Sequence, residues 1–202
     1  RGPLGHPPPR RNSGTLANAV LGYYQRTGQA CGVHPVTRLD RDTFGVVLFA
    51  KNAYIHEKFC EMQKKHQISK TYHASVYGTK MADFGLIDLP ILKLPGRSLL
   101  RTVAPNGKKC RTLFAVLARF QDVSVLELKP VTGRTHQLRV HCKYAGFPIL
   151  GDPQYQSEES EAFSKENELF SQELCAKRLE FRHPMTGEKI TIYSRQNVWK
   201  SP

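Results

Sequence analysis

Asp40 stands in the run His34-Pro35-Val36-Thr37-Arg38-Leu39-Asp40-Arg41-Asp42-Thr43, with an arginine on either side. Three residues past Thr43 the chain enters the apolar Val46-Val47-Leu48-Phe49. Four consecutive apolar residues fit a strand buried on both faces, which holds the charged loop against the core. A half-buried charge in that place needs a partner or it costs several kcal/mol. The plain reading is a salt-bridged loop. Two other stretches crowd polar groups together: Lys70-Thr71-Tyr72-His73-Ala74, and Thr132-Gly133-Arg134-Thr135-His136-Gln137-Leu138-Arg139-Val140-His141. By pattern alone, Tyr72 at the start of an alternating strand is a packing residue. His136 and His141 are five apart, which does not align two ligands on one helix face, so no metal site is read there. Cys110 and Cys142 read as small apolar residues.

The elements that must position these groups follow from periodicity. Thr15 to Gln25 places Leu16, Ala19, Val20 and Tyr23 at helical spacing, with Ser13 or Thr15 as N-cap and Gly28 or Gly32 as the stop. Ala53 to Gln67 gathers Ile55, Phe59 and Met62 on one face of a second helix. Ile68 to Gly78 alternates Tyr72, Ala74 and Val76 against Thr71, His73 and Ser75, the period of a half-exposed strand. Residues 79 to 107 read as an irregular, partly basic excursion. Arg111 to Phe120 and Val123 to Pro130 form a hairpin. The spacing then predicts a helix opened by Thr135 as N-cap and running to about Ala145, with Arg139 inside it and Gly146 beyond. Residues 156–172 are an acidic, Ser-rich solvated insertion with some helix, and 177–195 a terminal hairpin around Pro184-Met185-Thr186-Gly187.

Composition bounds the partner. Of the 202 residues, 40% are apolar and 9% aromatic, values of a chain with one substantial core. The formal net charge of +13 calls for an anionic partner, nucleic acid being the commonest. Residues 1 to 150 hold 23 of the 30 Lys and Arg but 8 of the 17 acids, a local net of +15, so the positive field belongs to the part that carries Asp40. Five scattered cysteines with no C-x-x-C spacing suggest neither a disulfide framework nor a zinc site and fit a reducing compartment. No apolar run has the length of a transmembrane helix and no signal peptide is read, so a soluble, cytoplasmic protein is expected.

The run from Arg38 to Lys51 resembles the signature H-R-L-D-x-x-T-S-G-hydrophobic-A-K of the RluA-type RNA pseudouridine synthases. Phe44 replaces the serine, and the His-Arg pair is spread over His34 to Arg38. Three further stretches resemble that family in order: Lys70 to Ala74 its K-x-Y-x-A strand, Thr132 to His141 its T-G-R-T-H-Q-[IL]-R-x-H, and Gly146-Phe147-Pro148-Ile149-Leu150-Gly151-Asp152-Pro153-Gln154-Tyr155 its G-x-P-[IL]-x-G-D-x-x-Y. The resemblance covers roughly residues 15 to 155. It implies an α+β fold, one pseudouridine synthase catalytic domain over residues 15–202 with a mixed, largely antiparallel sheet and peripheral helices, preceded by an extended basic lead-in over 1–14. The family's opening strand ending in Lys-Pro and an S4-like RNA-binding module are not read in this sequence.

The same resemblance implies the chemistry. Isomerising uridine to pseudouridine adds and removes nothing, so no cofactor is expected, and no nucleotide fingerprint, P-loop or metal cluster is read. Asp40 corresponds to the catalytic aspartate, acting at C1′ as nucleophile or on the 2′ proton as base, with both routes open. Arg139 corresponds to an arginine gripping Asp40 fork to fork. Tyr72 would stack on the flipped uracil, Leu39, Ile149 and Leu150 would wall the pocket, and Arg38 would enter the base stack. Arg134, Thr135, His136 and Gln137 fall to RNA contact and base flipping. The expected partner is a ribosomal or transfer RNA stem-loop, with no metal and no membrane, and the protein a monomer. An RNA-binding module without catalysis, and a glycosylase using Asp40, are the competing classes; the latter needs a second acid and a positioned water.

Overall fold

A computed structural model describes residues 14–96 and 100–199, so all of the expected lead-in except Gly14 lies outside the described residues. The chain runs α1 (Leu16–Arg26), β1 (His34–Pro35), β2 (Phe44–Gly45), β3 (Phe49–Ala50), α2 (Ala53–Lys64) and β4 (Ser69–Tyr77). It continues through β5 (Phe84–Asp88), β6 (Ile91–Lys93), β7 (Arg101–Val103), β8 (Arg111–Arg119), β9 (Val123–Pro130) and α3 (Gln137–Tyr144). It closes with α4 (Glu158–Glu166), β10 (Leu174–Arg182) and β11 (Lys189–Tyr193). The main sheet has the order β11-β10-β4-β9-β8-β5, antiparallel throughout, and β2 lies parallel against β10. This is the α+β class with a mixed, largely antiparallel sheet.

Strand β4 is the axis of the molecule. Ala74 and Val76 pack with Leu126, Leu128, Leu138, Cys142, Phe147 and Ile149 in the main core beneath α3. Ser75, on the other face, is also buried, and its hydroxyl donates to the Trp199 carbonyl. The half-exposed strand expected here is therefore buried on both faces at Ala74, Ser75 and Val76, where the C-terminal segment lies behind it, while Lys70, Tyr72 and His73 keep part of their surface. A second core joins α2 to β10 through Phe59, Leu179 and Phe181, with Ile55 and Met62 on the helix face foreseen from spacing.

The run Val46 to Phe49 is not one strand: Gly45 ends β2 beside β10 and Phe49 opens β3 beside β1, so the apolar residues bridge two different partners. Gly45 has φ of +115°, and a Cβ there would collide with the Ala176 backbone, so only glycine admits this approach. In α1, Thr15 caps as foreseen by accepting from Asn18 N–H at 3.2 Å, but the helix buries Tyr24 and leaves Tyr23 in solvent. Tyr24 is one turn beyond Val20, and Lys51 lies over its ring. Residues 79 to 107 are more regular than expected: they hold the edge strand β5 and the hairpin β6-β7.

Candidate active site

The loop Thr37–Thr43 is fixed by hydrogen bonds made to its backbone and its two buried threonines. Thr37 Oγ1 accepts from Leu48 N–H at 2.9 Å, and Gln63 Nε2 donates to the Val36 carbonyl at 2.7 Å. On the far side, Gln172 Nε2 donates to the Arg41 carbonyl and to Thr43 Oγ1 at 3.0 Å. Gln172 comes from the acidic stretch read as solvated, of which one face is inside: Ser164 is buried and donates to Gln156 Oε1 at 2.8 Å, while its hydroxyl accepts from Gly151 N–H at 3.0 Å. That packing carries Gln172 to the loop. Asp42 takes φ of +69°, and its carboxylate accepts from Arg41 Nε at 3.1 Å.

Asp40 is thus paired with neither flanking arginine. Its Oδ2 lies 3.7 Å from Nη1 of Arg139, with 28% of the Asp40 side chain exposed and 4% of the Arg139 side chain. The fork-to-fork partner expected for Arg139 is not Asp40 but Asp152, whose side chain is fully buried. Nε donates to Asp152 Oδ2 at 2.6 Å and Nη2 to Oδ1 at 2.8 Å, and Nη2 also reaches Gln154 Oε1 at 3.0 Å. The Gly151-Asp152 turn makes this possible by pointing its carboxylate at the first turn of α3; Asp152 Oδ1 also accepts from the Gln154 and Tyr155 N–H groups. Burial pulls the Arg139 pKa down, but the hydrogen bonds and charge of Asp152, followed by the charge of Asp40, more than offset it and leave it raised. The guanidinium stays charged with two donors spent on a buried carboxylate. One N–H edge then remains for Asp40, whose own carboxylate is left part-open to a substrate.

Tyr72 faces the same place. Burial first, and the Asp40 charge second, hold its phenol well above the ordinary tyrosine value, so it is a neutral ring beside the carboxylate. His136 is the N-cap of α3 in the left-handed conformation, φ 56°, without a side-chain cap bond, so the N-cap expected at Thr135 is displaced by one residue. The exposed Thr135 is left on the approach to the helix. The Tyr155 hydroxyl accepts from Arg101 N–H at 3.0 Å and lies 2.8 Å from His136 Nδ1. Its proton is therefore available to Nδ1 of a neutral imidazole. Burial, opposed by Asp40 and reinforced by Arg139 and Arg101, lowers the His136 pKa and favours that form.

The remaining foreseen residues divide. Arg38 and Arg134 are exposed, and Leu39 is half-buried next to Asp40. Gln137 is buried and fully bonded: Oε1 accepts from Thr132 Oγ1 at 3.0 Å and Arg134 N–H at 2.9 Å, while Nε2 donates to the Arg111 carbonyl at 2.9 Å and Thr112 Oγ1 at 3.0 Å. It holds the 132–136 loop to β8 and offers nothing to RNA. Ile149 and Leu150 have no exposed surface, so they support β4 from within the core and line no open cleft. Asp152, Tyr155 and Gln172 carry the site without having been assigned a role; the G-D-x-x-Y spacing was the available signal for the first two, and none existed for Gln172. A cavity of about 900 Å³ opens at the far end of β4, between Tyr77, Met81, Phe114 and Phe147, and touches none of these groups. Among the described residues no cluster of three or more His, Cys, Asp or Glu is placed to hold a metal ion.

A family model for RNA pseudouridylate synthases matches residues 7–144, a span that includes Asp40, Tyr72 and Arg139. The chain belongs to the RNA pseudouridylate synthase family. It is 38% identical over 182 residues to an uncharacterized RNA pseudouridine synthase, YjbO, of Bacillus subtilis, an alignment covering 90% of this chain and 62% of that protein. It is 33% identical over 199 residues to the ribosomal large subunit pseudouridine synthase D of Buchnera aphidicola, covering 94% and 62%. The chain thus spans a little over three fifths of the length of these relatives. Among solved structures, human RNA pseudouridylate synthase domain containing 1 superposes with a TM-score of 0.73 at 26% identity, covering 93% of this chain and 81% of that one. As a member of the family the chain is of the RluA type, matching the synthases C and D of the large ribosomal subunit.

Proposed function

We propose that this protein isomerises uridine to pseudouridine in structured RNA, with Asp40 as the reacting carboxylate. In the reaction the N1–C1′ bond breaks, the uracil turns, and a C5–C1′ bond forms; the proton on C5 leaves and N1 gains one. The observation that carries the reading is the Asp40–Arg139–Asp152 arrangement: an arginine locked by a buried acid presents one edge to a second, part-open acid. Asp40 is held close to that edge while its other oxygen stays free to approach C1′ as nucleophile or the 2′ proton as base. A neutral Tyr72 ring stacks on the extruded base without repelling it. Arg38, exposed two residues before Asp40, fills the gap left in the stack, and Arg134 meets a phosphate. Ribosomal RNA is the favoured substrate because relatives of the chain are named for the large ribosomal subunit, with transfer RNA as the second. We take the protein to act as a monomer in a reducing, cytoplasmic setting. Five free cysteines support the reducing setting, and among the described residues no helix is long and apolar enough to cross a membrane.

The test uses unmodified ribosomal and transfer RNA transcribed with uridine tritiated at C5. Release of tritium with retention of intact glycosidic bonds is the expected result. Abasic sites would indicate a glycosylase, and binding without either product would indicate an RNA-binding module; both overturn the proposal.

A further inference from the structure

Lys70 lies on β4 two residues before Tyr72, so the two side chains leave the same face of the strand. Both line one small cavity together with Thr37, which precedes Arg38, and with Arg178. Three of the cations around this site are matched to acids: Arg139 to Asp152, Arg41 to Asp42 at 3.1 Å, and Arg178 to Glu180 at 3.1 Å. Lys70 differs. It is half-buried, and among the described residues it has neither an ion pair nor a side-chain hydrogen bond. The charge that acts on it is that of Arg38, a like charge, and burial first and Arg38 second lower its pKa. An ammonium partly removed from water beside a second cation raises the free energy of the free protein, and an anion brought to the same place recovers it.

Resting on the proposed reaction at Tyr72 and Asp40, we propose that Lys70 forms a phosphate site on the rim of the Tyr72 pocket, which takes the backbone phosphate of the nucleotide whose base enters. Two residues along a strand advance about 7 Å, close to the reach of a nucleotide from its base to its own phosphate. A base lying on Tyr72 therefore brings its phosphate over Lys70. The compact charge of an ammonium suits a phosphate oxygen, and the guanidinium of Arg38 is left free to swing into the stack as the anion arrives.

The probe is uridine 3′,5′-bisphosphate, compared with uridine and with inorganic phosphate, followed by NMR of the lysine side chains in protein labelled at Cε and Nζ. The bisphosphate should move the Lys70 resonance and raise its pKa, phosphate should do so at higher concentration, and uridine alone should not. Lys70→Gln should weaken bisphosphate binding about tenfold and leave uridine binding unchanged, while Lys70→Arg should keep both. Equal affinity for bisphosphate and uridine, or a Lys70 signal that saturating bisphosphate leaves in place, overturns the site. The NMR titration of the unsubstituted protein decides this even if Lys70→Gln does not fold. A protein that discriminates bisphosphate from uridine through Lys70 but makes no pseudouridine sinks the catalytic reading and leaves the phosphate site standing.

Discussion

Replacing Asp152 by Asn tests whether Arg139 is set by the acid behind it. The change keeps the shape and one carbonyl acceptor but removes the charge that accepts Nε at 2.6 Å and Nη2 at 2.8 Å. Arg139 is buried, so its neighbour's charge is not replaced by water. Removing one partner of a buried pair costs about 3–5 kcal/mol. Asp40, 3.7 Å from Nη1, takes over part of the interaction, which places the expected loss at the lower end, about 3 kcal/mol. For a domain of this size that lowers Tm by roughly 6–12 °C. The guanidinium then turns its fork on Asp40, and a carboxylate held by an added charge-assisted hydrogen bond must surrender about 1.5–3 kcal/mol to react. Turnover should fall roughly 10- to 150-fold. RNA affinity should not change, because the Asp152 side chain has no exposed surface. Thermal melts, filter binding and single-turnover tritium release read the three quantities separately. A Tm within about 2 °C of the parent with unchanged turnover would refute the reasoning; a lowered Tm with full turnover would leave Asp152 a stabilising residue with no hold over Asp40.

Asp40→Asn should keep RNA binding and lose tritium release, and turnover above the uncatalysed background removes Asp40 from the chemistry. Arg38→Ala should slow or abolish the fluorescence rise of a 2-aminopurine placed beside the target uridine, while an unchanged amplitude and rate make Arg38 a simple phosphate contact. Gln137→Leu removes four hydrogen bonds, two to the 132–136 loop and two to β8, and should destabilise by about 2–4 kcal/mol in chemical denaturation, with RNA affinity unaltered where the variant is folded; a folded variant with weakened RNA binding would return Gln137 to the RNA interface. His136 and His141 both have pKa values lowered from 6.5, mainly by burial, so the unfolded chain takes protons before the native one. Their contribution is present above pH 6.5 and is lost as pH falls below it, until the native imidazoles also protonate. Denaturation midpoints at pH 7.5 and 5 should show this loss, and His136→Gln should reduce but not abolish it, since His141 remains bonded to Thr112 and the Leu89 carbonyl.

Much of the local order decided by short-range physics was readable, though the N-cap expected at Thr135 fell on His136. Thr15 as a cap, the Ile55-Phe59-Met62 face and the hairpin of β8 and β9 follow from side-chain periods and capping chemistry that act within a few residues. The rotation of α1 that buries Tyr24 was not readable, because adjacent tyrosines satisfy helical spacing equally and the choice rests with Lys51 and the loop above it. Nor was the splitting of Val46 to Phe49, since an apolar run states a wish for burial without naming the strand that supplies it.

The sequence by itself determined which residue types are brought to bear: an acid between arginines, a tyrosine on an alternating strand, and an arginine in a helix opened by Thr-His-Gln. Only the tertiary structure decided how they pair. Charge attracts any opposite charge, so Asp40 had two arginines within three residues and a third at Arg139; the fold gave Arg41 to Asp42 and the fork of Arg139 to Asp152, and left Asp40 one edge. Burial likewise decided that Gln137, Ile149 and Leu150, which look functional by motif, lie inside the fold. Pairing and desolvation depend on distances across residues far apart in the chain, and those distances exist only once β4, α3 and the 37–43 loop have packed.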